Sequence, residues 1–308
     1  MKIFINFDFQ NEELGGGLWG GANQFLLALK KFFIKEGLYS DDPINCDIFL
    51  MNSHHNVENI WKIKTLNPNM VICHRIDGPI STYSGLNEEN RDKVVFYYNM
   101  IYADATLFQS EYSLKATSSL GFKFKQSTEI ILNACDNSIF FPALNKIKNK
   151  KIKLVASAWS DNENKGKYFY QFLDENLDFD KYEFTFIGRI KYQFKNSKYI
   201  SPQSSVKLAE ILREQDIFIS ASLNDPCANS ILEALSCGLP VVYLNSGGHP
   251  ELVREGGKSF ENKDDILNSI DLVAGNYDDY RKNIKVKTFE EIGKQYVEFF
   301  KKMMETRS

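Results

Sequence analysis

Residues 216–252 read DIFISASLNDPCANSILEALSCGLPVVYLNSGGHPEL, and this stretch decides the fold. The apolar run Ile217–Ile219 has strand character and ends at small polar residues. A helix is predicted to begin near Asp225-Pro226, because proline is tolerated in a first turn and a carboxylate suits the positive helix end. Within it Asn229 and Glu233 stand four apart and share one face, with Ser230 beside them. Gly238 stops the helix, Pro240 follows, and Val241–Leu244 forms the next strand ahead of a glycine turn. Strand, helix, strand implies a parallel α/β layer. Polar groups gathered at a helix N-terminus, beside the C-terminal end of a strand, are where such sheets take ligands, anions in particular.

The remaining chain repeats the alternation. Lys2–Phe7 reads as a buried strand, followed by the loop DFQNEELGGGLWGGAN and a helix from about Asn23 to Lys35. A glycine-rich loop between strand and helix lets the backbone approach a phosphate, although Gly20 and Gly21 fit neither G-x-G-x-x-G nor a P-loop. Cys46–Met51 and Met70–His74 read as strands, with a helical segment Val57–Leu66 between them. His74, Arg75 and Asp77 thus sit where a parallel strand delivers residues to a cleft, whereas the adjacent His54 and His55 read as loop residues. Asn87–Ile101 reads as a helix and Thr128–Leu132 as a strand. Ala143–Lys151, rich in lysine and asparagine, is the linker candidate. Beyond it come a strand at Ile152–Ser157, a helix at Tyr168–Leu177, a strand at Tyr182–Ile187 and a helix at Ser204–Arg213. Three charged helices follow, at Asp264–Val273, Tyr277–Lys285 and Phe289–Met304.

Along nearly its whole length the chain resembles retaining glycosyltransferases of the GT-B architecture, the large family-four type also called group 1. The family pattern E-P-F-G, four residues, E-A, then G-x-P-V-V and a glycine turn ending P-E is met by DPCANSILEALSCGLPVVYLNSGGHPEL. Asp225 replaces the first glutamate, and Cys227-Ala228 replace Phe-Gly. Gly20-Gly21-Ala22 resembles the Gly-Gly-Ala that faces the donor diphosphate, and ILNACDNSIFFP resembles the segment that ends the first domain. The resemblance implies two Rossmann-like domains facing each other across a donor/acceptor cleft. Residues 1–143 would form the acceptor domain and 144–288 the nucleotide-sugar domain, with the last helix, about 289–308, returning to the first.

It also implies roles. Lys165-Gly166 fits the family K-G, whose lysine binds the diphosphate, while the family arginine is missing at Ala158-Trp159-Ser160. Arg189 or Arg75 would supply the second cation. Glu233 would accept the ribose hydroxyls, Asn229 and Ser230 would face the diphosphate, Asp225 would hold the donor sugar, and His74 would lie near the sugar or acceptor. The implied reaction is metal-independent, retaining transfer from a nucleoside-diphosphate sugar to a saccharide or lipid-linked acceptor, in surface polysaccharide or glycoconjugate synthesis, with no other cofactor. A nucleotide-sugar epimerase or hydrolase, and a catalytically silent subunit of the same architecture, are the competing readings.

Composition narrows the classes further. A net charge of −3 offers no basic field for nucleic acid. Five scattered cysteines without a C-x-x-C pair indicate neither a disulfide framework nor a zinc site. The chain starts directly as a strand, without a signal-peptide core, and no apolar run reaches membrane-spanning length. The expectation is a reduced, cytoplasmic protein, working at the inner face of the membrane if its acceptor is lipid-linked.

Overall fold

The computed structural model describes residues 1–9, 21–84, 88–124, 127–144 and 150–306. The chain divides into two compact units. One consists of the N-terminal strand, Asn23–Asn133 and the segment from Lys287 onward; the other contains Ala134–Val286.

In chain order the first unit has β1 (Ile3–Asn6), α1 (Gly21–Lys35), β2 (Ile48–Asn52), α2 (Ile60–Leu66), β3 (Val71–Ile76) and the short α3 (Ile80–Tyr83). It continues with α4 (Glu89–Tyr102), β4 (Ala105–Phe108), α5 (Glu111–Ser119) and β5 (Ser127–Ile130). The five strands are parallel and ordered β1-β2-β3-β4-β5, so each crossover moves the sheet one place in the same direction. Phe49, Met51 and Ile72 pack on one face with Ile60 of α2 and Tyr98 and Tyr102 of α4. Wherever sheet faces are covered like this, strands read as continuous apolar runs rather than alternating ones.

The second unit has β6 (Ile152–Ala158), one 3-10 turn (Glu163–Lys165), α6 (Lys167–Asn176), β7 (Tyr182–Gly188), β8 (Lys198–Ile200) and α7 (Ser205–Arg213). Then come β9 (Ile217–Ser220), α8 (Asn229–Ser236), β10 (Val241–Leu244), α9 (His249–Val253), β11 (Gly257–Phe260), α10 (Lys263–Gly275) and α11 (Tyr277–Lys282). Its six parallel strands are ordered β11-β10-β9-β6-β7-β8. The order reverses between β6 and β9: the chain builds outward through β7 and β8, then returns to the other side of β6. Such a reversal opens a crevice at the C-terminal strand ends, because the connections on its two sides leave in opposite directions.

The last helix, α12 (Phe289–Glu305), belongs to the first unit. Thr288 and Glu291 close a capping box at its start, which satisfies first-turn donors. Phe289 and Tyr296 meet Phe25 of α1, and Phe300 meets Phe33. Gly293 allows the approach: a Cβ there would lie 2.6 Å from the Phe32 ring.

The motif stretch departs from expectation at one point. The helix begins at Asn229, four residues past Asp225, and Asp225-Pro226 lie in the preceding loop. Asp225 Oδ1 accepts the Cys227 N–H at 3.2 Å, and Asn224 is left-handed at φ 55°. The carboxylate therefore closes its own turn and does not cap a helix. The strand β8 and the helices α3 and α9 are short elements that the sequence reading did not anticipate.

Candidate active site

Three loops leave the C-terminal ends of β6, β9 and β10, and backbone hydrogen bonds lock them together. Leu223 N–H donates to the Asn164 carbonyl at 2.7 Å, and Gly248 N–H to the Asp225 carbonyl at 2.9 Å. Asn224 N–H donates to Ser246 Oγ at 2.9 Å. Two glycines make the packing possible. Gly166 is left-handed at φ 85°, and a Cβ there would stand 2.5 Å from the Ala221 carbonyl oxygen. Gly247, at φ 63°, lies against the Asp225 backbone where any side chain would overlap it.

Lys165 ends the 3-10 turn after β6, and Asp225 follows β9. Their side chains meet at 2.8 Å, with only 27% and 17% of their surfaces exposed. The ion pair thus spans the reversal between β6 and β9. Burial alone would raise the Asp225 carboxyl, but the charge and hydrogen bond of Lys165, helped by His249 and the Cys227 N–H, hold it below the usual range. His249 is fully buried, bonded through Nε2 to Ser222 Oγ at 3.0 Å and through Nδ1 to the Leu244 carbonyl at 2.9 Å. It pins the loop after β10 to the loop after β9. Nothing in the run Gly247-Gly248-His249-Pro250-Glu251 signals that role in the sequence.

Asn229 and Ser230 open α8 behind Ala228, and no side chain caps that end. An uncapped N-terminus directs backbone donors and the positive end of the helix dipole outward. One turn on, Glu233 has no hydrogen-bond or charged partner for its carboxyl among the described residues. Burial pushes that carboxyl up to about 8. A partly buried carboxyl kept unpaired beside an uncapped helix start suits a ligand with hydroxyl groups and an anionic tail.

The two candidate second cations separate. Arg75, in the first unit, is fully buried and donates to Asn52 at 2.6 Å, Asp77 at 2.7 Å and Asn133 at 2.8 Å. Arg189 follows β7 and is exposed; its guanidinium lies 4.5 Å from the Trp159 ring centre and its Nη1 donates to the Trp159 carbonyl at 3.3 Å. The arginine expected at positions 158–160 is thus replaced by a tryptophan that carries an arginine from the neighbouring strand.

His74 does not face a cleft. It is buried within β3, with Nε2 2.8 Å from the Ser53 carbonyl and Nδ1 3.3 Å from Asn99 Nδ2. Burial pulls it down to about 4, so it is a neutral residue of the sheet interior. The reason is strand length: β3 runs to Ile76, two residues beyond the predicted end. Gly20 lies outside the described residues, as does most of the linker candidate, and Gly21 is the first residue of α1.

Residues 144–276 match the model of the family described as glycosyl transferases group 1. Among solved structures, HepE of Anabaena in complex with UDP and glucose superposes with a TM-score of 0.75 at 14% identity, covering 98% of this chain and 100% of that one. Sucrose-phosphate synthase from Thermosynechococcus elongatus gives 0.68 at 14% identity, over 92% of this chain and 78% of that one. A glycosyltransferase from Rickettsia africae gives 0.67 at 15% identity, over 98% and 90%. A search of curated proteins gives no match. The family match is confined to residues 144–276, while the chain as a whole has the GT-B fold of these structures.

Proposed function

We propose that this protein transfers a sugar, with retention and without a metal, from a nucleoside-diphosphate sugar to a hydroxyl of a saccharide or lipid-linked acceptor. The observation that carries the reading is the Lys165–Asp225 pair across the strand-order reversal, beside the uncapped start of α8 and the unpaired Glu233. Glu233 accepts the two ribose hydroxyls once ionised. The diphosphate lies against Lys165 and the α8 N-terminus at Asn229 and Ser230, with Arg189 as the second cation. Asp225 receives donor-sugar hydroxyls while it orients Lys165.

As the bond from the anomeric carbon to the diphosphate oxygen breaks, negative charge grows on the departing phosphate, where these positive groups stabilise it. The acceptor oxygen bonds to the same face of the anomeric carbon, and the leaving phosphate takes its proton. The products are a glycoside and a nucleoside diphosphate, and no protein base is required. HepE has been solved with UDP-glucose, which makes UDP-sugars the first donors to test.

A thermal-shift screen against UDP, GDP, ADP, CMP and dTDP, each with and without its sugars, tests the reading. A ligand bound only by the folded state raises the melting temperature by mass action. A shift with one diphosphate, lost in Glu233→Ala, together with release of that diphosphate from its sugar, is expected. Binding without turnover would leave a silent nucleotide-binding subunit, and no shift with any compound would remove the donor site. Among the described residues no helix is long and apolar enough to cross a membrane. Where the acceptor is lipid-linked, the protein would act at the inner face of the membrane.

A further inference from the structure

The C-terminal end of the first sheet holds a second polar assembly, and it fixes a single oxygen atom. Arg75 Nη1 donates to Asp77 Oδ1 at 2.7 Å and Nη2 donates to Asn133 Oδ1 at 2.8 Å. Asn133 Nδ2 donates to Gln109 Oε1 at 2.8 Å, and Gln109 Nε2 returns to Asp77 Oδ1. Four residues from β3, its following loop, β4's end and the segment after β5 thus close a ring of hydrogen bonds. The ring rests on Phe25, whose centre lies 4.9 Å from the guanidinium. A buried ion pair is a poor way to gain stability compared with apolar packing. What this one achieves is position. Oδ1 of Asp77 is held by two donors, whereas Oδ2 has no hydrogen-bond partner among the described residues, and 17% of the side chain is exposed.

The neighbouring loop faces that carboxylate. Register pairs Asn52 of β2 with Arg75 of β3, and Ser53 N–H donates to the Arg75 carbonyl at 2.8 Å, so His54 follows β2 alongside Asp77. The ring centres of His54 and His55 lie 4.3 Å apart with the planes tilted by 31°, and Phe7 meets His55 edge-on at 5.8 Å. Both flanking residues are left-handed without being glycine, Ser53 at φ 49° and Asn56 at φ 50°. Asn6 at the end of β1 holds the turn by donating to the Asn56 carbonyl at 2.9 Å. Backbone held in so sparsely populated a region persists only where the surroundings enforce it. Burial and Arg91 push both imidazoles down, Asp77 pulls both up, Glu88 pulls His54 up, and the net direction is downward. A neutral imidazole has one N–H donor and one acceptor nitrogen; Nδ1 of His54 already meets Ser53 Oγ at 3.3 Å, which leaves its Nε2 for a ligand.

We infer that Asp77 Oδ2, His54 and His55 form a saccharide-hydroxyl site on the first unit, with Arg75, Gln109 and Asn133 as positioning residues. A fixed carboxylate oxygen and two neutral imidazoles match the mixed donor and acceptor pattern of adjacent sugar hydroxyls, and Phe7 adds an apolar edge. Naming this saccharide the acceptor rests on the transferase reading above; its binding here does not.

Ligand-observed NMR on the full chain tests the site, using a panel of methyl glycosides (gluco, galacto, manno and N-acetylglucosamine) with and without UDP. Asp77→Asn is the sharpest variant, because it keeps the inner oxygen for Arg75 and Gln109 and turns only the outer one into a donor. At least one glycoside is expected to bind, about tenfold or more weakly in Asp77→Asn and His55→Ala, and unchanged in Glu233→Ala. His55→Ala serves if Asp77→Asn fails to fold, since it removes no member of the ring. No saturation transfer to any glycoside, or binding that both variants leave intact, overturns the inference. UDP binding in the same samples reports separately on the donor site, so the two readings fail independently.

Discussion

The two sheets are both parallel and both buried, yet their strand orders prepare different kinds of strand end. The first advances from β1 to β5 without reversing. Its loops end in a network around Asp77, in which side-chain hydrogen bonds fix one carboxylate oxygen and leave the other outward. The second reverses between β6 and β9, and there its polar groups stay open: a lysine–aspartate pair, an uncapped helix and an unpaired glutamate. A reversal supplies a crevice and a helix terminus from backbone alone, which suits a phosphate; an unreversed edge must build recognition from side chains.

The largest effect that would sharpen this contrast is at Lys165. Lys165→Ala removes a cation from the departing phosphate and leaves Asp225 without its partner. Turnover of the UDP-sugar that shifts the melting temperature should fall about 10²- to 10³-fold, as for other preorganised charge stabilisers. Steady-state release of UDP measures it. Arg75→Lys, by contrast, should leave UDP affinity unchanged in a calorimetric titration, and a large loss would break the comparison.

Next in size is Glu233. Glu233→Gln should weaken the nucleoside diphosphate found in the screen about ten- to a hundredfold, the range for hydrogen bonds to a charged group. The same change should raise the melting temperature of the free protein by a few degrees at neutral pH. In the folded chain the carboxyl keeps its proton up to about 8, whereas an unfolded glutamate ionises near 4.3. The folded state therefore binds more protons between those limits, and its stability falls as pH rises through them; glutamine removes that loss. For the same reason wild-type affinity for UDP should climb as pH rises toward 8 and then level off. A flat profile would show that the ribose is held elsewhere.

Smaller effects follow at Trp159 and Thr288. Trp159→Ala releases Arg189 from its ring and should cost about two- to fivefold in donor turnover, in keeping with a single exposed cation–π contact of ~0.5–1 kcal/mol. Thr288→Ala removes the cap of α12 and should lower unfolding stability by ~1 kcal/mol without touching UDP affinity.

Much of the second sheet was readable because glycine and proline mark its turns at fixed offsets. Gly238 and Gly247 fall where the backbone is left-handed, at φ 78° and 63°, and Pro240 follows the end of α8. Asp225 was misplaced onto a helix, since an aspartate before proline reads as a helix start until its carboxylate is seen closing a turn onto Cys227. His74 was misread because the strand's end could not be fixed to within two residues, and that error separates an exposed ring from a buried one. His54 and His55 gave no signal at all. Their significance comes from register and from two left-handed residues, neither of which leaves a pattern in residue type.

Hydrogen–deuterium exchange of the intact protein, with and without a saturating concentration of the nucleoside diphosphate that raises its melting temperature, tests the central claim most directly. The account predicts slower exchange in residues 159–166 and 221–236, the loops and helix start at the β6/β9 reversal, with strand ends of the first sheet unchanged. Protection confined to the first sheet's strand ends, around 53–56 and 76–78, would contradict it.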